Sequence, residues 1–509
     1  MAGYTFAPLT PTSFLTRSAA VFRDREAVVD GPRRFTYREL HDRSLALTGA
    51  LAGLGVEPGD RVAALCTNSH LMLELHHGAP MRGAVLVPLN IRLSADELCY
   101  IVEHSGAKVL VATRELEQTA REVAERTAVR LVLEGEEYDG LMAAAAPEPS
   151  AVAETDLLAI NYTSGTTGSP KGVMYHHRGA FLQALAMAFH NRLGPESSYL
   201  WTLPMFHCDG WCFPWAVVAA GARHVCLRAV DPAVIWRLLR GEGITHYSAA
   251  PTVLTMIANA PEAGPLDEPV HVTTGGAPPS PTLLARMAEL GMHVTHLYGL
   301  TETYGPVALN EWHPEWDALP AEEQATLRAR QGVGNVVAEP MRVIDPDGRD
   351  VPADGRTIGE IAARGNDVML GYYRDEEATR AVDAGGWFRT GDLAVMHPDG
   401  YVEIRDRSKD IIISGGENIA SVEVERVIDS HPAVVESAVV AKPDETWGEV
   451  PVAYVVLREG ASVDQAAIVE HVRSRLAGFK APKEVVFGDL PKTSTGKIQK
   501  NVLRRRLRA

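Results

Sequence analysis

The sequence has few cysteines, and none of them form the paired spacing of a zinc site. The five are Cys66, Cys99, Cys208, Cys212 and Cys226. An odd, sparse set in a long chain indicates reduced thiols and predicts a cytoplasmic protein. The neighbours His207, Cys208 and Cys212 lie in an aromatic, apolar segment without a second ligand pair, so we expect buried thiols there rather than metal ligands.

Long hydrophobic runs are also lacking. Residues 1–22 are mixed in polarity and contain no apolar core of a signal peptide. The apolar run at 213–222 is far too short to cross a bilayer. We therefore expect no membrane span.

Positive charge is scarce, with 49 Lys and Arg against 65 Asp and Glu and a formal net charge of −16. This balance argues against nucleic acid or an anionic membrane as a bulk partner. A small polyanion would have to meet a local cluster of cations. The basic residues at 500–508 are typical of an exposed terminal helix.

The chain contains 509 residues, enough for about three or four structural units. Short apolar runs at 61–66, 84–89, 108–113 and 129–134 read as buried strands. Ser94 and Glu97 form a capping box that opens a helix between two of them. This alternation predicts an α/β fold whose sheets are covered by helices on both faces.

A composition change near 405–410 predicts a second domain. Residues 434–441 and 452–457 read as strands, and 464–477 as an amphipathic helix. We expect a large N-terminal domain at 1–408 and a small α+β domain at 409–509.

A glycine-rich loop follows the strand predicted at 156–162. Residues 163–172 read TSGTTGSPKG, in which the glycines allow close backbone approach and the hydroxyls and Lys171 supply donors to phosphate. Pro170 excludes a Walker A loop. A flexible polar surface loop is the alternative, but the whole ten-residue string favours a phosphate cradle.

Four other motifs extend the pattern along the chain: YGLTET at 298–303, WFRTGD at 387–392, RDRSKD at 405–410 and PKTSTGK at 491–497. With the loop, they resemble in order the signatures of the adenylate-forming superfamily, which includes acyl-CoA synthetases, peptide-synthetase adenylation domains and firefly-type luciferases. The motifs are most similar to those of medium-chain, methylthiopropionate and aryl acyl-CoA ligases.

The resemblance implies an AMP-forming acyl-CoA synthetase of fatty acid metabolism that uses ATP, Mg²⁺ and coenzyme A. Its small C-terminal domain is implied to be mobile. The implied ATP or AMP contacts are Thr163, Ser164, Gly165, Thr166, Thr167, Gly168, Lys171, Gly275, Gly276, Ala277, Tyr298, Gly299, Thr301, Asp392 and Arg407. Within this set, Asp392 and Arg407 are implied to hold the ribose hydroxyls. Thr163 and Glu302 are implied at the Mg²⁺–phosphate site, where a hard cation prefers oxygen ligands.

Catalytic roles fall, by the same resemblance, on Lys497, Glu302 and His207. A lysine at the α-phosphorus offsets the repulsion between two anions and stabilises the transition state. The C-terminal domain is implied to turn about Lys409 after adenylation, which withdraws Lys497. The loop that then lines the path of the coenzyme A thiol comprises Ser414, Gly415 and Gly416.

The segment at 203–211 resembles the border of the carboxylate pocket, with His207, Asp209, Trp211 and Tyr304 as pocket residues. Amino-acid-activating relatives typically have aspartate at the position of His207, so we expect an acid without an α-amino group. At the position of Asp209 the family more often has asparagine. Either Asp209 faces the pocket and needs a cation or donor from protein or substrate, or it bonds the backbone of a turn before Gly210.

Other acceptors and other classes stay open at this point. The acyl group could pass to a carrier-protein thiol or to a nitrogen nucleophile instead of coenzyme A. A luciferase-like oxidoreductase would consume O₂, and an inactive binding protein would not need Lys497. A homodimer is the default expectation for the assembly.

Overall fold

The computed structural model describes residues 6–163, 170–276, 279, 281–407, 410–414, 417–444, 447–458, 460–493 and 498–507. The predicted domain boundary after residue 408 falls within an undescribed pair of residues, between the last strand of one sheet and the first strand of another. Within the described residues, no helix has the length and apolarity that a bilayer crossing would require.

The strands, numbered along the chain, are β1 Glu26–Asp30, β2 Arg33–Thr36, β3 Arg61–Leu65, β4 Val85–Pro88, β5 Ala107–Ala112, β6 Arg130–Leu133, β7 Leu157–Thr163, β8 Lys171–His176, β9 Ser198–Leu200, β10 Arg223–Val225, β11 His246–Ser248, β12 Val270–Thr274, β13 Met292–Leu300, β14 Gly305–Leu309, β15 Val333–Gly334, β16 Arg342–Ile344, β17 Ile358–Ala363, β18 Phe388–Met396, β19 Val402–Arg407, β20 Ile412–Ser414, β21 Glu417–Ile419, β22 Val434–Asp444, β23 Gly448–Leu457 and β24 Glu484–Phe487.

The α-helices are α1 Thr12–Val21, α2 Tyr37–Gly53, α3 His70–Met81, α4 Ala95–Ser105, α5 Glu117–Thr127, α6 Glu136–Ala144, α7 His177–His190, α8 Phe213–Ala220, α9 Pro232–Gly241, α10 Pro251–Ala258, α11 Pro281–Glu289, α12 Ala321–Arg328, α13 Glu376–Ala381, α14 Ser421–Asp429, α15 Gln465–Arg473 and α16 Lys500–Arg506. Helix α4 begins at the predicted capping box, with Ser94 and Glu97 bonded reciprocally, and it ends at the left-handed Gly106.

Two large sheets form the body of the protein. One has nine strands in the order β15-β14-β13-β12-β11-β9-β10-β1-β2, and the other has six in the order β6-β5-β3-β4-β7-β8. Their central strands are parallel, while β8, β14, β15 and β2 run antiparallel to their neighbours. The four strands predicted in the first third of the chain are β3 to β6 of the six-stranded sheet, and the α/β prediction is confirmed.

Two smaller antiparallel sheets follow. Strands β16 to β19 form a four-stranded sheet, and β21-β20-β23-β22 form another, to which β24 adds in parallel on β23. The last sheet packs with α14 and α15 around its own apolar core. This agrees with the smaller α+β unit expected at the C-terminal end.

Candidate functional site

Several of the predicted site residues lie at one edge of the nine-stranded sheet, because they follow parallel strands that end there. Strand β12 leads into Gly275, and β13 leads into Thr301. Strand β9, in the same sheet, precedes the segment at 201–212. The carboxyl ends of parallel strands are the usual place for a nucleotide site in such sheets.

The predicted phosphate loop lies between two paired strands. Thr163 ends β7 and Lys171 begins β8, and the two residues are register partners in the antiparallel pair. The predicted contacts within the loop lie outside the described residues: Ser164, Gly165, Thr166, Thr167 and Gly168. The described ends nevertheless place Thr163 and Lys171 side by side at the mouth of the loop.

A tyrosine that the sequence analysis missed joins two of the predicted phosphate residues. The Tyr372 hydroxyl donates to Oε1 of Glu302 over 2.7 Å, and Nζ of Lys171 lies 4.8 Å from the centre of the Tyr372 ring. Burial raises the pKa of the Tyr372 hydroxyl, and the Glu302 carboxylate raises it further, so the hydroxyl remains a donor. The structure thus brings together Lys171, Tyr372 and Glu302.

The backbone fixes this cluster from both sides. The Tyr373 N–H donates to the Gly172 carbonyl, and the Met369 N–H donates to the Glu302 carbonyl. Segment 369–373 therefore ties the strand after the phosphate loop to the turn that carries Glu302. No motif marks Tyr372, since its importance depends on contacts with distant parts of the chain.

The predicted ribose pair lies across two neighbouring strands. Asp392 on β18 is the backbone register partner of Arg407 on β19. The Tyr298 hydroxyl donates to Oδ2 of the buried Asp392 over 2.9 Å. This bond joins Tyr298, a predicted ATP or AMP contact, to the predicted ribose residue Asp392.

The pocket segment contains an unusual left-handed turn. Cys208, Asp209, Gly210, Trp211 and Cys212 all have φ between 48° and 63°. Each non-glycine residue costs about 1–2 kcal/mol in that conformation, so such a run persists only where its surroundings hold it. Backbone strain of this kind is frequent at functional sites.

The turn places the Trp211 side chain between two glycines, Gly275 and Gly305, at the edge of the nine-stranded sheet. A Cβ at Gly275 would lie 3.2 Å from Cη2 of Trp211, and one at Gly305, whose φ is +92°, would lie 2.7 Å from Cδ1. Larger residues at either position would displace the indole. The Trp211 ring therefore stands directly beside the predicted adenylate site.

Asp209 is completely buried beneath the turn. Its Oδ2 accepts a hydrogen bond from Nδ2 of Asn161 over 2.7 Å, and its Oδ1 lies 3.3 Å from Nε2 of His76. In the described part of the chain, its carboxylate partners are these two side chains, which corrects the expectation of a bond to the local backbone. The hydrogen-bond donor to the carboxylate is therefore a side chain of the protein, Asn161.

The other two pocket residues behave differently. Half-buried His207 has its Nε2 3.7 Å from Sγ of Cys208, and that thiol donates to Oγ1 of Thr301 over 3.4 Å. Burial raises the pKa of Cys208 to about 12, which keeps the thiol protonated. Tyr304 is fully buried and stacks on Tyr175 with ring centres 3.8 Å apart. The structure thus places Tyr304 in the packing behind the site.

The small domain is attached beside the predicted hinge. Across the predicted boundary, the Ser421 N–H of α14 donates to Asp406, and Arg426 pairs with Glu403 at 2.9 Å. Within the small domain, Arg504 pairs with Asp410. Ser414 pairs with Gly448, the first residue of β23. Four predicted residues of this part lie outside the described residues: Lys409, Gly415, Gly416 and Lys497. Ala277 and the side chain of Arg407 do as well.

Two family models match the chain. An AMP-binding enzyme model matches residues 15–373, and an AMP-binding enzyme C-terminal domain model matches residues 423–497. Together they span most of the sequence.

Curated relatives match it almost from end to end. A peroxisomal acetate/butyrate–CoA ligase of Arabidopsis thaliana is 45% identical, over 98% of this chain and 94% of its own. A 2-methylpropanoate–CoA ligase of Humulus lupulus is 44% identical over 98% and 95%. A 4-hydroxybutyrate–CoA ligase of Metallosphaera sedula is 43% identical over 100% and 96%.

Solved structures share the fold. ATP-bound MatB of Rhodopseudomonas palustris superposes with a TM-score of 0.86 at 29% identity, over 97% of this chain and 98% of that one. The o-succinylbenzoate CoA synthetase of Bacillus subtilis, in complex with its acyl-adenylate, has a TM-score of 0.85 at 29% identity, over 98% and 99%. The chain therefore belongs to the adenylate-forming family of AMP-binding enzymes and is an acid–CoA ligase.

Proposed function

We propose that this acid–CoA ligase activates short aliphatic acids of about two to four carbon atoms. The curated relatives are named for acetate, butyrate, 2-methylpropanoate and 4-hydroxybutyrate, all of that size. The observation in this chain that carries the proposal is the place of Trp211, whose indole fills the space beside Gly275 and Gly305. A longer acyl chain attached to AMP would meet this ring.

The first half-reaction joins the acid to AMP. A carboxylate oxygen attacks the α-phosphorus of ATP, and pyrophosphate leaves with the electron pair of the broken P–O bond. Lys171 and the loop amides would hold the phosphates, while Lys497 would stabilise the charge that develops at the α-phosphoryl oxygens. Asp392 and Arg407 would bind the ribose hydroxyls, and the pairing of their backbones on β18 and β19 supports this assignment.

Thr163 and Glu302 would hold Mg²⁺ together with the phosphates. The donor set fits, because Mg²⁺ prefers oxygen and usually takes only one or two protein ligands beside phosphate and water. When bound, the ion neutralises phosphate charge. The Tyr372 hydroxyl donates to the Glu302 carboxylate and would hold it in one orientation beside the bound triphosphate.

The second half-reaction transfers the acyl group. The thiol sulfur of coenzyme A attacks the acyl carbon, the thiol proton is released, and AMP leaves. The loop at 414–416 would line the thiol path after rotation about Lys409. Support comes from the described part of the junction, where the contacts of Arg426 with Glu403 and of Ser421 with Asp406 join the two sides of the hinge.

The compartment and the assembly remain predictions. Five buried, unbridged cysteines fit a reducing compartment such as the cytoplasm, although some relatives are named as peroxisomal. The expected homodimer would be tested by light scattering of the purified protein.

The proposal is tested by kcat/KM for acetate, butyrate, 2-methylpropanoate, hexanoate and octanoate with ATP and coenzyme A. We expect the short acids to be preferred. Trp211→Gly should raise kcat/KM for hexanoate relative to butyrate by about tenfold or more, since one methylene in an apolar pocket is worth roughly 10- to 200-fold. A wild-type preference for octanoate, or an unchanged ratio in the variant, would contradict it.

A further inference from the structure

Three buried side chains meet beneath the left-handed turn at 208–212. Asp209 comes from the turn itself, Asn161 from β7 and His76 from α3. The accessible surface of Asp209 and His76 is 0%, and that of Asn161 is 2%. This cluster lies behind the pocket segment and has no role in the two half-reactions described above.

Asn161 binds the turn twice. Its Nδ2 donates to Oδ2 of Asp209 over 2.7 Å, and its Oδ1 accepts from the Asp209 backbone N–H over 3.2 Å. One amide thus fixes both the side chain and the backbone of Asp209. Because Asn161 lies two residues before Thr163, it also connects the turn to the strand that enters the phosphate loop.

His76 supports the other carboxylate oxygen. Its Nδ1 lies 2.7 Å from the Met72 carbonyl, so that nitrogen carries a proton, and its Nε2 faces Oδ1 of Asp209 at 3.3 Å. The His76 ring therefore lies against the carboxylate oxygen that Asn161 does not bond. The nearby His77 and His224 are neutral, because burial lowers the pKa of both groups.

These contacts explain how a run of L-residues stays left-handed. Only Gly210 adopts that conformation without a steric cost, so the turn needs an external constraint. The hydrogen bonds of Asp209 supply one at the second residue of the turn. Two residues later, the same turn delivers Trp211 to its place between Gly275 and Gly305.

We propose that Asp209 is a positioning residue which, held by Asn161 and His76, fixes the left-handed turn and so determines how long an acyl chain the pocket accepts. The inference rests on the proposed role of Trp211 as the pocket wall. Asp209 acts through Trp211 and does not touch the substrate, since it is fully buried and bonded to protein groups. An amine or hydroxyl on the acid is therefore not its partner.

The test compares kcat/KM for butyrate with kcat/KM for hexanoate in a set of variants. Asp209→Ala and Asn161→Ala should each lower the butyrate preference by about tenfold, while Asp209→Asn, which keeps both hydrogen bonds to Asn161, should retain it within about twofold. His76→Gln should lower the preference, whereas His77→Gln, a buried histidine on the same helix, should leave it unchanged. A merely structural role would reduce the amount of active enzyme for both acids and leave their ratio constant.

A double variant separates this inference from the proposed function. In Trp211→Gly/Asp209→Ala the preference should equal that of Trp211→Gly alone, because both changes act on one wall. If Trp211→Gly shifts the preference and neither Asp209→Ala nor Asn161→Ala does, the positioning role of Asp209 is wrong. The assignment of Trp211 as the pocket wall then still holds. If Trp211→Gly leaves the preference unchanged, the wall assignment fails and this inference fails with it. Should Asp209→Ala not fold, Asn161→Ala decides the matter alone.

Discussion

Glu302, at the proposed phosphate site, accepts a hydrogen bond that fixes the orientation of its carboxylate. Its Oε1 accepts a hydrogen bond from the Tyr372 hydroxyl, and the Tyr372 ring lies beside the Lys171 ammonium. A carboxylate held in one orientation binds a cation with less loss of side-chain freedom than a mobile one. We therefore expect Tyr372 to contribute to cation binding and not only to packing.

Tyr372→Phe removes that donor and keeps the ring. We expect adenylation to fall by about tenfold to a hundredfold, since hydrogen bonds to charged groups contribute about 1.5–3 kcal/mol, with a higher KM for ATP–magnesium. Pyrophosphate exchange would measure this. Tyr373→Phe, one residue further along, is the matched control; an equal loss in both variants would contradict the role given to Tyr372.

Among the residues, the sequence identified those in contiguous motifs. Glu302, Asp392 and Lys171 were predicted, and the structure places each beside another predicted or newly found site residue. Tyr372 and His76 belong to no motif, and their contacts arise only from folding. A polar Asn161 within an apolar strand was a readable signal of a buried hydrogen bond.

At the level of elements, the apolar runs and capping residues were sufficient to predict strands β3 to β7 of the six-stranded sheet and helix α4, but not β8. The left-handed turn could not be predicted, because four of its five residues are not glycine. Its conformation depends on Asn161, which is 48 residues away in the sequence. The propensities of neighbouring residues carry no information about such a distant contact.

The predicted hinge is the element whose motion the proposed mechanism requires. Strand β19 ends at Arg407 and β20 begins at Ile412, so a change of backbone direction at Lys409 would turn the whole small sheet. Lys409→Pro, which fixes φ, should retain adenylation and abolish thioester formation. Lys409→Ala should retain both.

The two half-reactions can be followed separately, by pyrophosphate exchange and by acyl-CoA release. Equal losses in both half-reactions for Lys409→Pro would refute the hinge assignment.

At the scale of the whole molecule, stability depends on buried carboxyl groups outside the site. Burial raises the pKa of Asp367 from 3.8 to about 7, although Asn335 donates to its Oδ2 over 2.9 Å. Because the carboxyl pKa of Asp367 is higher in the folded state, the proton on this group adds to the free energy of unfolding. That stabilisation is complete below the pKa of about 4 in the unfolded chain, and it is lost as the pH rises through about 7.

Asp367→Asn should therefore increase stability, relative to the wild type, more at pH 8 than at pH 5. We expect the difference between variant and wild-type Tm to be larger at pH 8 by roughly 1–4 °C, which thermal unfolding at the two pH values would measure. A difference that is the same at both values would show that Asp367 does not titrate in this range.

The central claim is that this chain makes an acyl-adenylate before it makes a thioester. The most direct measurement mixes the enzyme with ATP, magnesium and butyrate, without coenzyme A, and then adds coenzyme A. Butyryl-AMP and pyrophosphate should form first, butyryl-CoA and AMP should follow, and Lys497→Ala should slow the first step by about 10²–10³-fold. Formation of butyryl-CoA without any butyryl-AMP, or of ADP in place of AMP, would contradict the account.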